Sequence, residues 1–173
     1  PQTGSYDFVW QLYDQRNLSL NLESSLAVGQ IDKVFEEQFE QYFGENLTDE
    51  NVTAQSIRET LKTIESETGK SAVVVYARSL SDYLELVLVL PEGYPIRKVV
   101  PEANATALKQ ALTEFRDTVS NPLRPTAYQA SAQKLYQWLI TPLEPQLQAL
   151  GIDTLIFCMD AGLRNLPLAA LYD

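Results

Sequence analysis

The stretch Leu155-Ile156-Phe157-Cys158-Met159-Asp160-Ala161-Gly162-Leu163-Arg164-Asn165-Leu166-Pro167-Leu168-Ala169-Ala170-Leu171 decides the fold class. Its first five residues are apolar without a break, as in a strand buried on both faces. Asp160-Ala161-Gly162 then supplies turn chemistry. A second apolar run from Leu166 to Leu171 carries Pro167 near its start, where the missing N–H does no harm to a helix. The spacing therefore predicts strand, turn and helix, half of a βαβ unit whose next parallel strand belongs within a dozen or so residues. Only Tyr172 and Asp173 follow. The expectation is that this chain forms the front part of a larger domain.

Working outward, the order of elements is α/β. Ala72–Ala77 (AVVVYA) is β-branched and apolar, which predicts a central strand. Tyr83–Leu90 (YLELVLVL) predicts a second strand, and Pro91-Glu92-Gly93-Tyr94 a turn leading to a third at Ile96–Val100. Arg97 and Lys98 charge that third strand as an edge should be charged. Helical stripes recur at Val28, Ile31, Phe35, Phe39 and Tyr42, ending at Gly44. They recur again at Ala54, Ile57, Leu61 and Ile64, ending at Gly69. Two more helices are predicted over Asn104–Ser120 (Leu108, Leu112, Phe115, Val119) and from Thr126 (Tyr128, Ala132, Leu135, Leu139). Thr141-Pro142-Leu143-Glu144 has the form of a capping box, predicting a further helix as far as Gly151. Pro145 opposes it by removing an N–H, which predicts an irregular start instead. The sum is an α/β domain with a small mixed sheet that includes a hairpin, flanked by helices, spanning residues 27–173. Residues 1–26 read as an irregular or strand-like lead, with Phe8, Trp10, Leu12 and Leu18, Leu20, Leu22 alternating.

The run Leu135-Tyr136-Gln137-Trp138-Leu139-Ile140, Pro142-Leu143, Leu155-Ile156-Phe157, Asp160-Ala161-Gly162-Leu163-Arg164 and Leu166-Pro167-Leu168-Ala169-Ala170-Leu171 resembles the CHAT family. These are caspase-like peptidase domains often attached to tetratricopeptide repeats. The resemblance extends back, with falling specificity, to about Ile31 through Thr68-Gly69-Lys70, Val73-Val74-Val75-Tyr76 and Pro95-Ile96-Arg97-Lys98. It implies a histidine–cysteine dyad on later strands, beyond Asp173, so no catalytic residue carries over. It also implies that Asp160, Gly162, Leu163, Arg164, Leu166 and Pro167 are a structural motif of the scaffold. The implied partners are the remainder of the CHAT domain and tetratricopeptide repeats of the same or another chain, with a protein substrate for the parent.

Composition narrows the chemistry. With no histidine among 173 residues, Ser-His and Cys-His activation within this chain are excluded, as is any histidine-containing metal site. Cys158, the single cysteine, excludes an internal disulfide and suits a reducing cytoplasm. Within an apolar strand it reads as a small hydrophobe with little thiolate. The alternative, a reactive thiol at a strand end, places it one residue from the turn. A net charge of −10, from 13 basic and 23 acidic residues, comes without a cationic cluster, which argues against nucleic acid. No apolar run approaches the roughly 20 residues of a membrane helix. The acidic run from Asp32 to Glu45 reads as the wet side of a helix, or as a docking face for a basic partner. Asn17, Asn46, Asn51 and Asn104 begin Asn-x-Ser/Thr triplets that a chain rich in these residues produces by chance. Gly69-Lys70-Ser71 precedes a strand, whereas a phosphate loop follows one. No cofactor, metal or ligand-binding residue is indicated.

At Asp160–Arg164 two accounts compete. Residues just beyond a strand's carboxyl end are where open α/β sheets bind ligands, and Gly162 there permits φ > 0. Alternatively, Asp160 caps its own turn, while Arg164 pairs with it or with a helix end. For the whole chain, the first reading is the non-catalytic N-terminal scaffold of a caspase-like cysteine peptidase. It predicts apolar surface left open at Leu155–Met159 and Leu166–Leu171. The second is a self-contained protein-interaction module of peptidase-like fold, which predicts those residues covered. A terminal Asp173 also suits a product of cleavage after aspartate.

Overall fold

A computed structural model describes residues 28–38, 40 and 52–172. The strand-like lead, Phe39, Tyr42 and Gly44 lie outside the described residues. Helical residues 28–38 and 40 (α1) precede α2 at Ala54–Thr68, then the strands β1 (Ala72–Ser79), β2 (Leu84–Val89) and β3 (Ile96–Val100). Helices α3 (Ala105–Val119), α4 (Gln129–Leu139) and the short α5 (Glu144–Ala149) lead into β4 (Thr154–Met159). The sheet order is β3-β2-β1-β4, with β1–β2 and β2–β3 antiparallel and β1–β4 parallel. The architecture is thus a four-stranded mixed sheet with helices on both faces, as the sequence predicts.

Strand alternation builds two cores. Val73, Val75 and Ala77 of β1 point with Leu84, Leu86 and Leu88 of β2 into a core closed by α3 and α4. Phe115, Leu135, Leu139 and Leu143 fill it. Ala72, Val74 and Tyr76 point the other way with Val87 and Val89, under Val28, Ile31 and Phe35 of α1 and Ala54, Ile57 and Leu61 of α2. Ile64 continues that stripe only partly buried. Because β1 and β2 feed both cores, their buried stretches are almost wholly apolar; Arg78 and Ser79 fall at the less buried end of β1, and Glu85 is the one charged residue buried in these two strands.

Helix α2 shows why such boundaries were readable. Thr53 Oγ1 accepts from Ser56 N–H at 3.1 Å and Ser56 Oγ accepts from Thr53 N–H at 3.0 Å, a reciprocal cap. Gly69 closes the helix at φ +69°, its N–H donating to Glu65 O at 2.8 Å. Gly93, at φ +82°, makes the turn between β2 and β3.

Two expectations are corrected. The capping box at Thr141 does not form: α5 starts at Glu144 after Leu143, with no side-chain cap. Glu144 instead accepts a hydrogen bond from the Tyr136 hydroxyl at 2.7 Å. The irregular start that Pro145 predicts is the one adopted. The apolar run after Asn165 is not an α-helix either, but one 3₁₀ turn at Leu168–Ala170. Pro167 disfavours helical geometry at Leu166 before it, and Leu166 is already buried in the core.

Candidate functional site

The parallel pair β1–β4 ends in the loop that the sequence singles out, and Asp160 organises it. Asp160 is 6% exposed. Its N–H donates to Ala77 O at 3.2 Å, extending the β1–β4 ladder by one rung. One carboxylate oxygen accepts from Gly162 N–H at 3.1 Å and the other from Ser79 N–H, so a single side chain ties the end of β1 to the turn after β4. Its carbonyl accepts from the N–H groups of Leu163 (3.0 Å) and Arg164 (3.1 Å). This is the capping account of the turn. Gly162 does not use the left-handed region; among the described glycines only Gly69, Gly93 and Gly151 do. A Cβ at Gly162 would sit 3.4 Å from an Asp160 carboxylate oxygen, close to ordinary contact, so neither φ nor space makes glycine obligatory at residue 162.

The other motif residues divide between core and latch. Leu163 (0% exposed) and Leu166 (6%) are plugs in the α3–α4 core, while Pro167 is exposed ahead of the 3₁₀ turn. Arg164 reaches Met159 O through Nε at 3.4 Å, and Gln38 Oε1 and Phe35 O of α1 through Nη2 at 3.3 and 3.5 Å. Gln38 Oε1 also accepts from Ala161 N–H at 3.0 Å, so α1 holds the loop from the opposite face of the sheet.

Burial pushes the Asp160 carboxyl above its ordinary range, although the backbone N–H donors oppose that by favouring the anion. A carboxylate with a raised folded pKa stabilises the fold most below its unfolded value, and that contribution is lost as pH rises through the folded value. Asp160→Asn, which does not titrate and turns an amide N–H₂ toward a backbone donor, is expected to cost about 1–3 kcal/mol at neutral pH. The gap from the unsubstituted protein should widen on acidification between those two pKa values. Urea titrations at pH 7 and in the mildly acidic range check both; a gap that narrows would mean that the folded pKa is depressed.

Cys158 lies beside Tyr76 in the β1–β4 register and is half-buried. Burial first, then the Asp32 carboxylate, raises its thiol pKa above the ordinary value, which keeps thiolate scarce. Tyr76 OH donates to Asp32 at 2.9 Å, and burial followed by that same carboxylate holds the phenol far above its usual range. The trio joins α1 to the sheet and contains no base able to activate a nucleophile. Among the described residues, no three His, Cys, Asp or Glu side chains gather as a metal site.

A second charged cluster escaped the sequence reading. Glu85, 4% exposed in the middle of the sheet, accepts from Arg78 Nε at 3.0 Å and from Arg97 Nε at 2.6 Å. Arg97 is thus half of a cross-strand clamp as well as an edge charge, and its hydrogen bond to Glu85 raises its pKa further. The register that pairs Arg78 with Glu85, and sets Arg97 opposite Val87, was the signal that would have found it.

No curated protein and no solved structure matches the chain. Among the described helices, none is long and apolar enough to cross a membrane. Residues 129–173 match the family model of the CHAT domain. That stretch runs from the start of α4 through β4 and the Asp160 loop, and over it the chain is CHAT-like, as the residues quoted from the sequence indicate.

Proposed function

We propose that this chain is the N-terminal, non-catalytic scaffold of a caspase-like CHAT domain, and that the outer edge of β4 receives the next parallel strand. The observation that carries the reading is the state of β4. Thr154 N–H donates to Ser71 O at 3.1 Å and Asp160 N–H to Ala77 O. By strand alternation the amides of Leu155, Phe157 and Met159 then turn away from β1. Among the described residues no strand pairs with that side. At the opposite edge, β3 carries Arg97 and Lys98, whereas β4 (TLIFCM) has no charge, and Leu155, Ile156, Phe157 and Cys158 are half-buried. An uncharged edge with side chains half-covered on both faces is the form of an interior strand missing one neighbour. Leu166 is covered, so the apolar opening is at the edge rather than along the whole C-terminal stretch.

On this reading the histidine and cysteine of the dyad, a protein substrate and tetratricopeptide-repeat partners belong to the parent, and this chain contributes the platform. Amide hydrogen exchange tests it. Leu155, Phe157 and Met159 should exchange fast, while Ile156 and Cys158, bonded to β1, exchange slowly. Extending the protein by its downstream strands should protect the first set. Protection of Leu155 and Phe157 in the chain by itself would instead favour a self-contained interaction module.

A further inference from the structure

We infer that the cavity between α3 and the Asp160 loop is a binding site for a carboxylate carried on a short apolar stem. The cavity, of about 410 Å³, opens where β1 and β4 end side by side, the position at which open α/β sheets bind ligands. Its wall is formed by Ser79 at the end of β1, Gly162 and Asn165 of the loop, and Lys109, Thr113 and Arg116 of α3. Ala105 and Ala161 provide accessible apolar surface, over a floor of the buried Leu108 and Leu112.

Charge selects the ligand. The chain has a net charge of −10, yet two of its 13 basic side chains line this cavity and no acidic one does. The α3 acids Glu114 and Asp117 border a separate groove on that helix, which Lys109 also touches. Neither Lys109 nor Arg116 is ion-paired among the described residues. The nearby Asp160 carboxylate is occupied by the N–H groups of Ser79 and Gly162. Lys109 and Arg116 stand two turns apart, roughly 10 Å along the axis, with Thr113 between them. Long side chains from both ends can therefore meet one anionic group above Thr113. Arginine offers a planar fork to a carboxylate, and the accessible apolar atoms of Ala105 and Ala161 favour a short hydrocarbon stem over a bare inorganic anion. The inference is independent of the scaffold reading, because the outer edge of β4 takes no part in it.

Titration calorimetry on the full chain, with glutarate, a capped Ala-Glu-Ala tripeptide and inorganic phosphate as probes, is the test. Saturable binding of glutarate or of the tripeptide is expected in preference to phosphate. Which of the two binds tighter separates a free organic acid from a protein side chain as the natural source. Arg116→Gln and Lys109→Gln should each weaken that binding about tenfold. Their unfolding midpoints should stay unchanged, because both side chains are exposed. Absence of saturable binding by both carboxylates, phosphate binding as tight as glutarate, or undiminished binding by the double variant would each overturn the inference.

Discussion

Leu139→Ala is expected to remove about 2–5 kcal/mol from the unfolding free energy, with the upper half of that range favoured by the packing. Leu139 is 0% exposed on the inner face of α4, in the core that also contains Phe115, Leu135 and Leu143. Helix α4 packs against α3 and Leu139 is enclosed by that core, so the backbone around a missing isobutyl group has little freedom to collapse inward. The cost is then the lost transfer free energy plus the cavity left behind. Ile64→Ala is the internal comparison: it occupies an equivalent place in the α2 stripe but is only partly buried, and should cost about 1 kcal/mol. Denaturant titration with a constant m-value reads both. A loss below about 0.5 kcal/mol at Leu139 would place that side chain at the surface and overturn the assigned face of α4.

Glu85→Ala should be the most damaging substitution of a charged residue among the described ones. Removing the carboxylate leaves Arg78 and Arg97 facing one another across β2 with nothing between them. A wholly buried ion pair broken in this way costs about 3–5 kcal/mol. Here the arginine side chains are 30% and 44% exposed and can turn toward water, so the expected loss is smaller, about 2–3 kcal/mol. Arg97→Ala, which takes away one exposed donor and leaves Arg78 in place, should cost less than about 1 kcal/mol. The ordering separates the clamp from a generic surface pair: a Glu85→Ala loss no larger than that of Arg97→Ala would mean that Glu85 holds nothing beyond an ordinary exposed ion pair. Arg78→Ala combined with Glu85→Ala completes a double-mutant cycle that isolates the coupling.

The parts of the fold legible in the sequence are those where one local signal has no competitor. Gly69 ends α2 because only a residue free of a Cβ enters the left-handed region cheaply, and Thr53 begins it because a hydroxyl can serve an orphan N–H. The β2–β3 hairpin follows from Pro91 and Gly93 between two apolar runs. The misreadings fall where two signals conflict or where the partner is distant. Pro167 opened a plausible helix and at the same time restricted Leu166, and the burial of Leu166 decided the outcome. Thr141 and Glu144 have the spacing of a capping box, but Pro145 and the Tyr136 hydroxyl withdraw the partners it needs. Glu85 appeared as one polar letter in an apolar run. Its meaning depends on residues 7 and 12 positions away in sequence, brought alongside only by the register of three strands. At the candidate site, Asp160 was readable as a turn-former. Its bond to Ser79, 81 residues back, was not, nor was the grip of α1 on Arg164 and Ala161.

The parallel pairing of β1 with β4 also governs the order in which the molecule assembles. Ser71 and Asp153, which meet at the start of that pair, are 82 residues apart in sequence, whereas the β1–β2 and β2–β3 pairings close short turns. Long-range closure carries its entropic cost before any contact repays it, so the meander of β1, β2 and β3 forms early and β4 docks late. The loop spanned by that closure contains α3, α4 and α5, and those helices must collapse onto the sheet before Asp160 can reach Ser79. Until then the apolar strand TLIFCM has both of its edges free, which makes the interval before docking the period of greatest aggregation risk.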